Sequence, residues 1–188
     1  MDQRQVTIIG VAIAVVAIVA VVGFLLMRKR RSKLLHERFG PEYDRVVSKE
    51  GDVRRGEDVL EFRAKRREKI TVKPLSPTER ADFASRWADV QLQFVDDPRG
   101  TVSRADELLN QVLQARGYPV ADFDQRAADI SVDHPVVVEN YRVAHEIALR
   151  HSRGQASTED LRKAMVHYRS LFDELVENST PERKEARG

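Results

Sequence analysis

SPTERADFASRWADVQLQFVDDPRG, residues 76–100, holds a helix start, a helix and a second helix start in one stretch. Ser76 stands at an N-cap position, Pro77 follows at the first helical position and Glu79 comes three residues after the serine. A hydroxyl and a carboxylate are thus placed to satisfy backbone N–H groups that a helix leaves without partners. Phe83, Trp87, Val90 and Phe94 recur at steps of four, three and four, flanked by Ala84, Ala88 and Leu92, which makes one broad apolar face at the α-helical period. Asp97-Pro98 repeats the cap and the proline. The short connection predicts two antiparallel helices, and the place of Trp87 inside the stripe predicts a core residue rather than an exposed anchor.

Downstream the same device recurs. Over 98–116, Val102, Ala105, Leu108, Leu109, Val112 and Leu113 share a face before Gly117 stops the helix. A shorter helix over 121–132 uses Phe123, Ala127 and Ile130, and Asp133-His134-Pro135 opens another that runs to His151. Ser157 and Asp160 form a second capping box ahead of Leu161, Ala164, Met165, Tyr168, Leu171, Phe172 and Leu175. No strand-period alternation competes. The expected fold class is all-α: a compact bundle of about five helices over 76–176, followed by a polar tail at 177–188.

Upstream, Gly40-Pro41 predicts a hinge and a helix start, and Gly51 a stop. Residues 52–69 are charged at most positions, with Val59, Leu60 and Phe62 as a thin apolar face. Together with the basic segment before them, residues 28–75 therefore predict a solvated, charged helical stalk. Ahead of it, VTIIGVAIAVVAIVAVVGFLLM, residues 6–27, is a run of 22 residues without a charge. At about 1.5 Å per residue such a run reaches roughly 33 Å, enough to cross a hydrocarbon core of about 30 Å. It predicts a single N-terminal transmembrane helix.

Arg28, Lys29, Arg30, Arg31 and Lys33 follow the run and outweigh Arg4 before it. Lys and Arg beside a span are retained on the cytoplasmic side, so residues 1–5 are expected outside and the body of the chain in the cytoplasm. A cleaved signal peptide would carry its positive charge ahead of the apolar stretch, whereas here the charge comes last. Each of the five cations gains about 1 kcal/mol near anionic lipid, which makes them the candidate residues for headgroup contact and topology. Gly10, Ala14 and Ala17 place small residues on one side of the run, a packing surface for a second helix that is too common a pattern to assign a homo-oligomer.

The whole chain carries a net charge of +2, but 1–33 hold six basic and one acidic residue, leaving 26 basic against 29 acidic over 34–188, a net of −3. The body thus lacks the cationic excess of a nucleic-acid binder, and no nucleic-acid partner is expected. With no cysteine, thiol nucleophiles, thiolate metal sites and disulfides are excluded.

The remaining chemistry reads as structural. His145-Glu146 suggests a zinc protease helix until the next histidine, His151, is found six residues on. Two ligands on one face need a spacing of four, and six residues rotate by about 600°. His36, His134 and His167 have no metal spacing, Asp97 and Asp160 are caps, and no phosphate loop or nucleophile elbow occurs. No catalytic, cofactor-binding or metal-binding residue is assigned.

FGPEYDR at 39–45, VDDP at 95–98, RGYP at 116–119, DHP at 133–135 and ENYR at 139–142 together resemble an uncharacterised family of bacterial single-span membrane proteins with a helical soluble domain. The resemblance covers most of 39–176. It implies the bacterial inner membrane and brings no activity, cofactor or catalytic residue. The expected function is that of a membrane-anchored, non-enzymatic interaction or scaffold protein, with membrane lipid and an unidentified membrane or cytoplasmic protein as partners. The alternative is a membrane-bound enzyme or ligand sensor with a site around His134, Glu139, Tyr141 and His145.

Overall fold

The computed structural model describes residues 3–177, and for 3–15 the backbone alone. Eight α-helices and no strand occur among the described residues: α1 Gln3–Phe39, α2 Pro41–Glu50, α3 Val53–Glu68, α4 Pro77–Gln93, α5 Pro98–Ala115, α6 Phe123–Asp133, α7 Val138–Ser152 and α8 Thr158–Val176. The protein is all-α. The expected N-terminus at 1–5, the first part of the apolar run with Gly10 and Ala14, and the tail beyond Glu177 lie outside the described side chains.

The helix starts follow from the residues that cap them. The Ser76 side chain accepts from the Glu79 N–H while the Glu79 carboxylate accepts from the Ser76 N–H, and Ser157 with Asp160 repeats the exchange. Asp52, Asp97 and Asp122 each accept a backbone N–H three residues on. The helix over 133–151 begins later than Asp133-His134-Pro135 suggests. Asp133 ends α6, the His134 N–H caps that helix on the Ile130 carbonyl, and α7 starts at Val138 without a side-chain cap. Proline biases the residue before it away from the helix, so His134 closes one element before the next opens.

Helices α4 to α8 surround the larger core, where Val102, Leu109, Ile130, Tyr141, Leu161, Tyr168 and Leu171 are fully buried. Trp87 is buried and stacks on Phe172 at a ring separation of 4.7 Å, as its place in the stripe predicts. Leu75, in the extended segment before α4, joins this core, and the Lys73 N–H bonds the Arg116 carbonyl at 2.9 Å.

The smaller core corrects the expected stalk. Leu35 and Phe39 of α1, Val46 of α2, Leu60 and Ala64 of α3 and Val132 of α6 form one buried cluster. Residues 28–75 therefore do not stand apart in solvent: α2 and α3 fold as a hairpin against the end of α1 and lean on α6. Gly40, at φ 48°, and Gly51, at φ 68°, make the two corners, so Gly40-Pro41 is a fixed turn with Phe39 fully buried beside it rather than a hinge. At Gly56 an added Cβ would lie 2.8 Å from the Val47 backbone, a close approach of α2 and α3 that only glycine permits.

Among the described residues, no helix is long and apolar enough to cross a membrane. The described side chains of the apolar run cover only 16–27, short of the roughly 20 residues a span needs.

Candidate functional site

Where the apolar run meets the body, one continuous helix carries the chain across. α1 passes without a break through Arg28, Lys29, Arg30, Arg31 and Lys33 to Phe39. Only part of that basic cluster is free. Arg31 donates to Glu61 and to Asp58 of α3, both at 2.6 Å, and Lys33 lies 3.7 Å from Glu37 one turn on. The hydrogen bond to Asp58 and the charge of Glu61 outweigh desolvation and raise the Arg31 guanidinium above its ordinary range. Arg28, Lys29 and Arg30 remain exposed.

Beneath Arg31 lies Glu57, buried at 1 % exposure, whose carboxylate accepts from the Ser32 hydroxyl and, at 3.0 Å, from the Tyr43 phenol. One carboxylate thus ties α1, α2 and α3 together. A buried charge needs such partners, since leaving it unpaired costs several kcal/mol on the order given by desolvation.

A second buried carboxylate, Glu42 of α2, is 2 % exposed and lies between two arginines. Arg142 of α7 donates through both terminal nitrogens, at 2.6 and 2.7 Å, and Arg63 of α3 donates at 2.7 Å. The paired Arg142 contact is the fork geometry that suits guanidinium and carboxylate. Arg66 on Asp129, at 3.0 Å, and Arg67 on Asp133 complete the seam between α3 and α6. Tyr118 also donates to Asp133, at 2.8 Å.

Glu42 opens into a cleft of about 600 Å³ between α2, α3, α6 and α7, walled by Arg45, Lys49, Arg63, Phe123, Arg142 and His145. Asp122, Asp124 and Glu146 also line it, so its four cations face four carboxylates and no single sign of charge is presented.

The four residues of the enzyme or sensor reading are not gathered around this cleft. His145 lines it, stacked on Phe123 at 3.6 Å. Glu139, 57 % exposed, reaches the rim through Arg45 at 3.2 Å and Arg142 at 3.5 Å. Tyr141 is fully buried against Phe123, and burial pushes its phenol up. His134 points elsewhere, onto Glu174 of α8 at 3.0 Å.

Burial lowers the His134 imidazole below its ordinary range despite that carboxylate. The neutral ring donating from Nδ1 fits the site, because Nε2 is buried with no hydrogen-bond partner and a second proton there would find no acceptor. His145 is lowered as well, by desolvation first. Among the described residues, no group of three or more histidine, aspartate and glutamate side chains is placed to hold a metal ion.

Glu42, Glu57, Arg63 and Arg142 escaped the sequence reading. Their partners lie 14 to 100 residues away, beyond the reach of any spacing rule. The one local signal is the crowding of charge in α3 with too little apolar face to fold alone. Set against known proteins, the chain matches no family model, no curated protein and no solved structure.

Proposed function

We propose that this protein is a single-span, membrane-anchored interaction protein of the bacterial inner membrane. Its N-terminus lies outside, its helical body is held against the cytoplasmic face, and its partners are membrane lipid and a membrane or cytoplasmic protein. The observation that carries the reading is the bare apolar surface of α1. Val16, Ile18, Val19, Val21, Val22, Phe24, Leu25, Leu26 and Met27 are all between 49 and 73 % exposed, on every side of the helix, and they continue a run that has no charge back to residue 6. A patch of that kind is covered by lipid or by another protein, and the cationic border that follows sets its direction.

The body supports a non-enzymatic output. Its buried carboxylates Glu42 and Glu57 are held by arginine, tyrosine and serine partners that join helices, and His145 stacks on Phe123. With the end of α1 locked into the smaller core, the body is held at a set height and orientation above the membrane. A tethered domain gains effective concentration against neighbours in the same bilayer, so a modest interface suffices.

The chain's lack of cysteine makes the test direct. Gln3→Cys and Leu92→Cys are labelled with a membrane-impermeant maleimide in spheroplasts, Leu92 being 74 % exposed on α4. Gln3→Cys is expected to react in intact spheroplasts and Leu92→Cys only after lysis. The reverse pattern overturns the orientation, and recovery of the protein in the supernatant after an alkaline wash without detergent overturns the anchor.

A further inference from the structure

Beside the last turn of the apolar run, α1 and α3 enclose an open groove of about 470 Å³, lined by Met27, Arg30, Arg31, Leu34, Leu35, Arg38 and Glu61. We infer that this groove is a binding site for one anionic phospholipid of the inner leaflet, with its phosphodiester between Arg30 and Arg38 and its apolar part against Leu34 and Met27. The inference rests on the membrane reading above and specifies a lipid partner for it.

The lining makes the choice. Residues 27, 30, 34 and 38 follow at steps of three, four and four, so they share one face of α1 and alternate apolar with cationic. Met27 and Leu34 are 73 and 66 % exposed, with no protein group covering them. The two walls of opposite charge cancel each other: Arg31 already holds Glu61 and Asp58. Arg30 and Arg38 enter no ion pair among the described residues, which leaves two guanidinium groups uncompensated on either side of Leu34.

Eight residues apart on one helix, the two arginines stand about 12 Å apart along the axis, a gap that two long side chains close on a single phosphate. Guanidinium suits that group because its planar fork donates to two phosphate oxygens at once. The volume falls within the roughly 300–1,000 Å³ that small-molecule sites occupy. A free phosphate would leave Met27 and Leu34 wet, and a protein helix would have to bury both arginines. A lipid satisfies both parts, and the lining includes Met27, the last residue of the run proposed to enter the bilayer.

General attraction between a polybasic segment and an acidic surface treats all juxtamembrane cations alike. The groove does not, and it includes Arg38, outside the basic cluster. Full-length protein extracted from membranes in mild detergent is examined by native mass spectrometry after titration with phosphatidylglycerol, and against phosphatidylcholine. We expect one bound phosphatidylglycerol in preference to phosphatidylcholine, a loss of at least tenfold in its affinity for Arg30→Gln/Arg38→Gln and of several-fold for Leu34→Ser. Lys29→Gln/Lys33→Gln, which removes the same charge from the general headgroup contact outside the groove, is expected to cost no more than about threefold.

Equal losses for the two double variants overturn the groove in favour of general surface attraction. So does failure of phosphatidylglycerol to exceed phosphatidylcholine, or displacement of the lipid by millimolar inorganic phosphate. Because Arg30, Leu34 and Arg38 are exposed, an unchanged unfolding midpoint in the variants separates lost binding from lost folding. In each of these outcomes the protein is still extracted from membranes, which distinguishes them from failure of the anchor itself.

Discussion

At the scale of single residues, the buried carboxylates decide what the charged segments do. Glu42 carries one negative charge between Arg63 and Arg142, all three nearly out of solvent. Glu42→Gln keeps the shape and removes the charge, leaving two part-buried guanidinium groups facing a buried neutral amide. Breaking a buried pair in this way costs about 3–5 kcal/mol. Trp87, the chain's single tryptophan, stacked on Phe172, reports the unfolding by fluorescence, and an unchanged urea midpoint would show that the seam contributes nothing.

His134 makes the stability depend on pH. In the unfolded chain it takes a proton near pH 6.5, in the folded protein only at lower pH. Its neutral form therefore supports the fold fully above about pH 6.5, and stability declines as pH falls below that value through the folded pKa. His145 adds in the same direction. Replacing His134 by Gln is expected to flatten the decline below about pH 6.5 in denaturation curves. A decline as steep as that of the unaltered protein would remove His134 from the account.

At the scale of elements, starts and stops are local chemistry, while the contacts between elements are not. Ser76→Ala removes one member of the α4 capping box and is expected to cost about 1 kcal/mol. Gly117, at φ 89°, closes α5, and a Cβ there would strike the Thr71 carbonyl oxygen. Gly117→Ala meets both backbone strain and that clash, so it should destabilise by more than the cap variant, by upward of about 1 kcal/mol. Equal midpoints for the two variants would mean that the extended segment yields to the new methyl. Serine, proline and glycine made the bounds of α2, α4, α5 and α8 readable in advance. The late start of α7 was not read in advance, because Asp133-His134-Pro135 can open a helix or close one, and here Asp133 ends α6 while His134 caps it.

At the scale of the whole molecule, α1, α2 and α3 belong to the folded body. A solvated stalk rich in arginine and lysine would be cut rapidly by trypsin. With Arg63, Arg66 and Arg67 bound to Glu42, Asp129 and Asp133, limited digestion is expected to spare α3 for as long as α5 and α8 survive. Early cleavage at those three arginines, read by mass spectrometry, would restore the stalk. The same seam carries the mechanical consequence of the proposed anchor. A body fused to a continuous α1 has little freedom to turn relative to the apolar run.

The amino-acid sequence by itself determined the helical class, the capped starts, the stripe that buries Trp87, the absence of thiol chemistry and the charge-free run with its basic border. The caps, the stripe and the basic border are each written within about a dozen neighbouring residues, the range over which helix period and capping act. Only the tertiary structure decided that the charged segment folds back, that Glu42 and Glu57 become buried pins, and that Arg31 faces α3 while Arg30 and Arg38 enter no ion pair among the described residues. A carboxylate and a guanidinium separated by 100 residues of chain carry no mark of one another until packing brings them within 3 Å. In a helix with so little apolar surface, the distant partners of its charges act together with its few buried apolar residues, Leu60 and Ala64, to hold it against the core.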